Sequence, residues 1–294
     1  MINDFEKINK EKIVLPRIIL KFCRHSIKEP RGTKEKKDVQ LNQAGRKLAR
    51  GKYNPATTNA VAFGSSYDRA QETALLVALG LETNSFDETK ALADAGLNYG
   101  SKLGIDTRLD FKNSHETNYY QALRAACEDK KFLKFIVEDS DELAAKLNDK
   151  GGATYSRMAA QIAGVVKKYS IAINNWDDIL ENNPDKYDSS ALERFLVTHR
   201  GLGESFVAKV IDKTSGQAER DKFVKALNNE YFSETEGFSV DIGKYNEEKI
   251  IHISFNKIDK DTGETIYSFE KSISEDLLEE IIKEGKMVFE MQSN

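Results

Sequence analysis

The feature that most constrains the fold is an alternation of short apolar runs and amphipathic segments in the first eighty residues. Arg17–Cys23 and Ala60–Phe63 are brief apolar runs of the kind found in buried strands. Leu41–Arg50 and Asp68–Leu79 have helical periodicity, and a glycine follows each of them. Repeated strand, loop and helix is typical of α/β folds, which carry their functional groups at the carboxyl ends of parallel strands.

The segments that follow divide into a helical stretch and a β-rich end. Residues 97–190 contain four helical patterns, which predict a mostly helical insertion: Tyr119–Cys127, Lys131–Glu138, Asp141–Leu147 and Tyr155–Ile173. Glu193–Thr198 returns to a strand pattern, and a helix is predicted over Glu204–Ile211. Residues 238–270 contain short β-type runs joined by turn signals, which predict a hairpin or meander.

Composition excludes several classes of protein. The 44 Lys and Arg residues against 48 Asp and Glu residues give a net charge of −4, which argues against a dedicated nucleic-acid-binding protein. Two cysteines, Cys23 and Cys127, imply no disulfide framework. No apolar run is long enough to cross a membrane, and Met1–Lys12 lacks the apolar core of a secretion signal. We therefore expect a cytoplasmic protein without a membrane partner.

Three loops that follow predicted strands hold the residues suited to chemistry. The first contains Arg24 and His25, the second leads to Arg69 at the start of a helix, and the third begins with His199. If the three strands are parallel, these loops open on the same edge of the sheet. Two arginines and two histidines beside the positive end of a helix form a site for a small, multiply charged anion, and phosphate fits best.

The order and spacing of these motifs resemble those of a known family. The motifs come in a fixed order: a strand followed by Arg-His, then LNQAGRKLA, then SSYDRAQETA, and then a strand followed by Thr-His-Arg-Gly. This order is similar to that of the histidine phosphatase superfamily, branch 1, the phosphoglycerate mutase-like proteins. The resemblance covers Arg17–Leu79 and Glu193–Ile211. Two positions depart from the family pattern: Ser26 replaces the usual glycine after the first histidine, and Arg200 follows the second histidine, where a small residue is common.

The resemblance implies a fold class and a domain organisation. It predicts a single domain over residues 1–294, built as a three-layer α/β/α sandwich with a mainly parallel central sheet. Residues 97–190 would form a helical cap inserted into that domain, and residues 238–270 would supply C-terminal β-strands.

The resemblance also implies a phosphatase mechanism. His25 would attack phosphorus and form a phosphohistidine, because neutral imidazole is nucleophilic near neutral pH. Arg24, Arg69 and His199 would hold the phosphate oxygens, and Arg200 is a further candidate phosphate contact. The arrangement requires no metal, and no spacing in the sequence suggests one, so we expect no metal and no other cofactor.

Two residues are candidates for the acid that protonates the leaving oxygen. The resemblance places this acid in the segment Lys90–Gly96, where Asp94 falls on the acid position with a side chain one methylene shorter than the family's glutamate. Glu204, five residues after His199, is the second candidate.

Three functions remain open from the sequence. Hydrolysis of a phosphomonoester is favoured, with a phosphorylated small molecule or a phosphoprotein as the substrate. A phosphoglycerate-type phosphomutase is the alternative, although Asp94–Gly100 lacks the Glu-Arg-His-Tyr-Gly-like stretch of those enzymes. A non-catalytic module that binds a phosphate ligand is the third. The sequence does not specify the substrate or the oligomeric state.

The basic residues near the site have two interpretations. Lys21–Lys37 holds seven basic residues, among them Lys28 and Lys36, against two acidic ones. Such a loop either steers phosphorylated substrates by its positive field or is simply a solvated surface loop. Arg108, Arg124 and Arg157 in the insertion either line a substrate entrance or lie on the surface.

Overall fold

The computed structural model describes residues 14–57, 60–96, 102–113, 117–184, 191–245 and 248–287. The predictions made for Met1–Lys12 and for both ends of the insertion fall outside these residues. A seven-stranded sheet in the order β3-β2-β4-β1-β5-β6-β7 forms the centre. Its strands are β1 (Val14–Arg24), β2 (Val61–Gly64), β3 (Leu103–Ile105), β4 (Ala191–Thr198), β5 (Gly237–Tyr245), β6 (Glu248–Ile258) and β7 (Thr265–Ile273).

The sheet is mixed, and the predicted mainly parallel sheet is not confirmed. The pairs β2–β3, β2–β4 and β1–β4 are parallel, whereas β1–β5, β5–β6 and β6–β7 are antiparallel. The reason lies in the connections. Parallel neighbours need long crossovers, which helices provide in the first part, whereas the short links of the predicted C-terminal meander make β5, β6 and β7 antiparallel.

Helices pack on both faces of the sheet. Along β4, Phe195 and Val197 enter one hydrophobic cluster, and Leu192 and Leu196 enter a second, larger one. Successive strand residues point to opposite faces, so the two clusters lie on opposite sides of the sheet. The smaller cluster includes residues of α1 (Gln43–Arg50), α2 (Asp68–Leu79) and α3 (Phe86–Ala95).

The predicted helices of the insertion are confirmed. They are α4 (Asn118–Glu128), α5 (Phe132–Glu138), α6 (Ser140–Lys146) and α7 (Tyr155–Ala172), and a short α8 (Trp176–Asn182) follows. Three more helices come later in the chain: α9 (Leu202–Ser215), α10 (Gln217–Ala226) and α11 (Glu275–Met287). Helix α7 packs against both α9 and α11. The single domain with a cap at 97–190 stays a prediction.

One segment differs from the expected loop. Lys90–Gly96 was predicted to be the acid-bearing loop, but it forms the second half of α3 and its C-cap. Ser85 caps this helix by accepting a hydrogen bond from the Glu88 N–H, and Asp87 and Glu88 favour its positive N-terminal end. The short strand β3 follows α3 in the chain, so the loop at the carboxyl end of β3 comes after Lys90–Gly96.

Within the described ranges, none of the helices is both long and apolar enough to cross a membrane.

Candidate active site

The carboxyl ends of β1, β2 and β4 lie side by side at one edge of the sheet. Arg24 is opposite Thr198 across β1 and β4, and Gly64 is opposite Val197 across β2 and β4. The residues that follow these strand ends are His25, Ser65 and His199. Parallel pairing therefore brings the three predicted loops together, as the sequence analysis expected.

These loops line a cavity of about 350 Å³. Its walls also include residues of the basic loop, the first turn of α2 and the insertion. The lining residues are Arg24, His25, Lys28, Lys36, Tyr67, Arg69, Phe111, Tyr120, Leu123, Arg124, Cys127, Phe132, His199 and Arg200. The predicted phosphate-binding residues Arg24, Arg69, His199 and Arg200 all belong to this set.

His25 is held in the tautomer that a nucleophile needs. Its Nδ1 lies 2.8 Å from the carbonyl oxygen of Ser26, which can only accept, so Nδ1 carries the proton and Nε2 carries the lone pair. Burial lowers the pKa of His25 to about 3, and the positive charge of Arg69 adds to the effect. The imidazole is therefore neutral at physiological pH.

His199 is fixed by contacts on two sides. Its Nε2 lies 2.8 Å from Ser65 Oγ, and its ring meets the Tyr67 ring edge to face at 4.6 Å. The centroids of the His25 and His199 rings are 5.2 Å apart. Burial and the nearby positive charge of Arg69 hold the pKa of His199 well below its usual range. Both imidazoles thus face one small volume without carrying charge.

Two arginines bring positive charge to the same volume. Arg69 Nε lies 3.2 Å from the lone-pair nitrogen of His25, and its guanidinium stacks on Tyr67 at 4.5 Å. Arg24 is anchored at its far end by the Phe232 carbonyl (2.8 Å) and by Glu234 (2.9 Å). Arg24 Nε is buried and has no hydrogen-bond partner among the described residues. A buried donor without a partner is costly, and Arg24 holds this N–H in that state beside the cavity that it lines.

The serine that replaces the family's glycine fits without strain. Ser26 is fully buried, its N–H donates to Thr73 Oγ1 at 3.0 Å, and its hydroxyl donates to the Gly45 carbonyl at 2.8 Å. A Cβ at Gly45 would come within 2.0 Å of the Ile27 carbonyl oxygen. The glycine of LNQAGRKLA therefore lets α1 approach the loop that carries His25.

Arg200 lies at the exposed mouth of the cavity. Its guanidinium stands over two aromatic rings, 5.7 Å from the Phe132 centroid and 5.3 Å from the Tyr231 centroid. Stacking of this kind orients a guanidinium while leaving its donors available in the ring plane. Arg200 thus lines the cavity together with Arg24 and Arg69 and is the most exposed of the three.

Glu204 is fully buried beneath the site. Its two carboxylate oxygens accept the backbone N–H groups of Gly201 (2.9 Å) and Phe232 (2.7 Å). Since the Phe232 carbonyl holds Arg24, this carboxylate links the turn after His199 to the Arg24 anchor. Burial raises the pKa of Glu204 to about 7, although the two N–H donors and Arg24 oppose the shift.

Glu204 should make stability depend on pH. A carboxyl whose pKa rises from 4.5 to about 7 on folding stabilises the native state below pH 4.5, and this is lost as pH rises through 7. We expect the difference in unfolding free energy between the wild type and Glu204→Gln to fall by about 2 to 3 kcal/mol from pH 5 to pH 8. Urea unfolding at both pH values measures it. If the unfolding free energies of the wild type and Glu204→Gln differed by the same amount at both pH values, the raised pKa would be contradicted.

The structure does not bring the two predicted proton donors to the cavity wall. Asp94 is exposed on α3, and neither Asp94 nor Glu204 is among the lining residues. A different carboxylate, Asp110, follows β3 and is half-buried at the same edge of the sheet. Its Oδ1 accepts the N–H of Ser66, the chain neighbour of Tyr67, at 2.7 Å. Asp110 itself is not among the lining residues, but Tyr67 and the next residue, Phe111, are.

Sequence reasoning missed Tyr67, Ser65 and Asp110. Ser65 and Tyr67 lie inside the SSYDRAQETA motif, so their position beside Arg69 was the available signal. Asp110 had a weaker signal, because β3 is only three residues long and partly exposed. Among the described residues, no group of three His, Cys, Asp or Glu side chains could hold a metal ion.

Comparisons with known proteins give matches to solved structures only. No protein-family model matches the chain, and no curated protein matches it. One similar structure is a mycobacterial glucosyl-3-phosphoglycerate phosphatase, 15% identical, with a TM-score of 0.36. That match covers 78% of this chain and 90% of the other.

Two further similar structures are described as putative phosphohistidine phosphatases. The protein from Agrobacterium tumefaciens is 12% identical with a TM-score of 0.29, and the match covers 78% of this chain and 91% of the other. The protein from Nakamurella multipartitia is 11% identical with a TM-score of 0.29, and the match covers 77% and 84%. All three TM-scores lie below 0.5.

Proposed function

We propose that this protein is a histidine phosphatase-type enzyme that hydrolyses phosphomonoesters through a phosphohistidine on His25. The observation that carries the proposal is the state of His25: a neutral imidazole with its Nε2 lone pair beside Arg69. Arg24, Arg69 and His199 line the same cavity as His25, and Arg200 adds positive charge at its mouth. The set suits the transfer of a phosphoryl group, whose charge is spread over equatorial oxygens.

In the first step, the Nε2 lone pair of His25 would attack phosphorus while the bond from phosphorus to the leaving oxygen breaks. The leaving oxygen keeps that electron pair and takes a proton from a carboxylic acid. The Ser26 carbonyl stabilises the positive charge that develops on the imidazole, because it accepts from Nδ1–H. Arg69 would exchange its contact with Nε2 for one with a phosphate oxygen.

In the second step, water would attack phosphorus, the P–N bond would break, and its electrons would return to Nε2. The carboxylate formed in the first step accepts the proton of the water. Phosphate then leaves, and both residues regain their starting protonation states. The cycle needs no group beyond the side chains named and a water molecule.

We propose Asp110 rather than Asp94 as the acid. The support is positional: Asp110 follows a strand at the edge that carries His25 and His199, whereas Asp94 is exposed on α3. The hydrogen bond to the Ser66 N–H orients its carboxyl group next to Tyr67.

Removing the acid should affect poor leaving groups most. We expect Asp110→Asn to lower kcat for an alkyl phosphate by roughly 100-fold and for p-nitrophenyl phosphate by less than about tenfold, because p-nitrophenolate leaves without a proton. Asp94→Asn is the matched control and should change neither rate by more than about twofold. Selective loss in Asp94→Asn, with none in Asp110→Asn, would restore Asp94 as the donor.

Phosphate release from p-nitrophenyl phosphate in the presence of EDTA tests the proposed function itself. Turnover is expected, since no step requires a metal. A mutase would instead isomerise phosphoglycerates in a reaction that depends on a bisphosphate primer. Binding of inorganic phosphate without turnover of any phosphomonoester would favour the non-catalytic module.

A further inference from the structure

We propose that the substrate is a small phosphomonoester with a second anionic group on an apolar, ring-sized body. This inference rests on the proposed function for the phosphate end and adds a second binding site within the same cavity. It follows from the charge, the anchoring and the shape of the walls.

The cavity holds more positive charge than one phosphate can neutralise. Six of the lining residues are cations and none is Asp or Glu: Arg24, Lys28, Lys36, Arg69, Arg124 and Arg200. A phosphomonoester carries about −1.5 to −2 charges near neutral pH. With Arg24 and Arg69 assigned to it, the remaining cations are in excess, although Arg24 pairs with Glu234 at 2.9 Å and Arg124 pairs with Glu128 at 3.2 Å.

Lys28, Lys36 and Arg200 are the cations left for a second anion. None of them has an ion pair or hydrogen bond from its side chain to any described residue. The pKa values of Lys28 and Lys36 are lowered by partial burial and by the charges of Arg69 and Arg200, so these cations share one region. Like charges kept together without counter-charges favour an anionic ligand.

The basic loop is anchored to the site. Lys28 forms a β-bridge with Leu41, and Glu29 N–H donates to the Gln40 carbonyl at 2.9 Å. The Lys36 carbonyl accepts from Arg69 Nη1, also at 2.9 Å. The backbone at both lysines is therefore tied to elements of the catalytic edge. This favours a binding role over that of a freely solvated loop.

The cavity also has an apolar wall. It consists of side chains from the segment 111–132, namely Phe111, Tyr120, Leu123, Cys127 and Phe132. A cavity of about 350 Å³ is within the range of small-molecule sites and larger than a phosphate group requires. The apolar wall would take the body of the substrate, while Lys28, Lys36 and Arg200 take its second charge.

Three aryl phosphates that differ at one substituent test this inference. They are phenyl phosphate, 4-carbamoylphenyl phosphate and 4-carboxyphenyl phosphate. All three share a phenyl ring, and only the last carries an additional negative charge. We expect the wild type to have a kcat/KM about tenfold higher for the carboxylate than for the neutral carbamoyl ester. The double variant Lys28→Gln/Lys36→Gln should bring that ratio close to one. Lys47→Gln, which removes an exposed charge on α1, should keep it.

Binding of the matching phosphonates, which cannot be hydrolysed, separates the two proposals. If no ester is turned over but the carboxyphenyl phosphonate still binds about tenfold more tightly than the carbamoyl one, the proposed function fails and the second anion site stands. The second site would be overturned if the wild type preferred the carboxyphenyl compound to the carbamoyl one by a ratio near one. It would also be overturned if the tenfold preference survived in Lys28→Gln/Lys36→Gln. Faster turnover of a phosphoserine peptide than of all three esters would overturn it in favour of a protein substrate.

Discussion

Replacing His25 with Ala should lower kcat/KM for p-nitrophenyl phosphate by roughly 10⁴-fold or more. The variant removes Nε2, the one protein atom that forms a bond with phosphorus in the mechanism. The remaining arginines still bind phosphate, so the affinity for inorganic phosphate should change much less than the rate. Steady-state kinetics and phosphate titration measure the two effects separately.

His252→Ala is the matched control for this variant. His252 lies half-buried on β6, where its Nδ1 is 3.3 Å from Ser272 Oγ, and it does not line the cavity. Its removal should leave kcat/KM within about twofold of the wild type. Substantial turnover by a folded His25→Ala protein would mean that another group attacks phosphorus.

Arg69→Ala should have the second largest effect, a loss of about 10³-fold in kcat. Arg69 is the guanidinium in contact with the nucleophilic nitrogen, so it lies where charge develops on the transferring phosphoryl group. Its loss also removes part of the cause that lowers the pKa of His25. The acid limb of the kcat/KM profile should therefore move to higher pH in the variant.

Two comparisons make the Arg69 prediction specific. Arg69→Lys keeps the charge but not the two-pronged geometry, and it should recover only about tenfold of the lost rate. Arg50 is the last residue of α1, and its exposed guanidinium pairs with Glu82. Arg50→Ala should therefore leave kcat unchanged. Equal rates for Arg69→Ala and the wild type would exclude Arg69 from transition-state stabilisation.

The sequence predicted the catalytic edge because its signals are local. Each of Arg24, His25, Arg69 and His199 stands at the end of a strand, directly after one or in the first turn of a helix, within a motif of a few residues. Parallel pairing of β1, β2 and β4 then fixes where these residues meet. The helices of the insertion were also predictable, because their apolar periodicity is regular.

The proton donor and the sheet direction were harder to predict, for physical reasons. Strand β3 has three residues and no fully buried position, so it has no apolar signature. The sequence therefore offers Asp94 on α3 and gives no signal for Asp110, and the identity of the donor stays a prediction. Likewise, no local residue pattern states that β5 joins β1 antiparallel, since this pairing depends on contacts between segments more than 200 positions apart.

The buried contacts around the site could not be read from the sequence at all. Glu204 has the pattern of an ordinary helix N-terminal acid, yet it accepts a distant backbone N–H at Phe232. The orphaned Arg24 Nε and the aromatic support of Arg200 arise only when the segment 231–234 folds over the strand ends. Such contacts join elements that are remote in the chain, and no spacing rule encodes them.

The central claim is that the phosphoryl group passes through His25. Mixing the enzyme with p-nitrophenyl phosphate, quenching in base within the first turnovers and mapping the peptides by mass spectrometry tests it directly, since phosphohistidine survives base. The account predicts one phosphoryl group on the peptide that contains His25, and none in His25→Ala. Turnover without a phosphorylated peptide at His25, or with the phosphoryl group on another side chain, would contradict it.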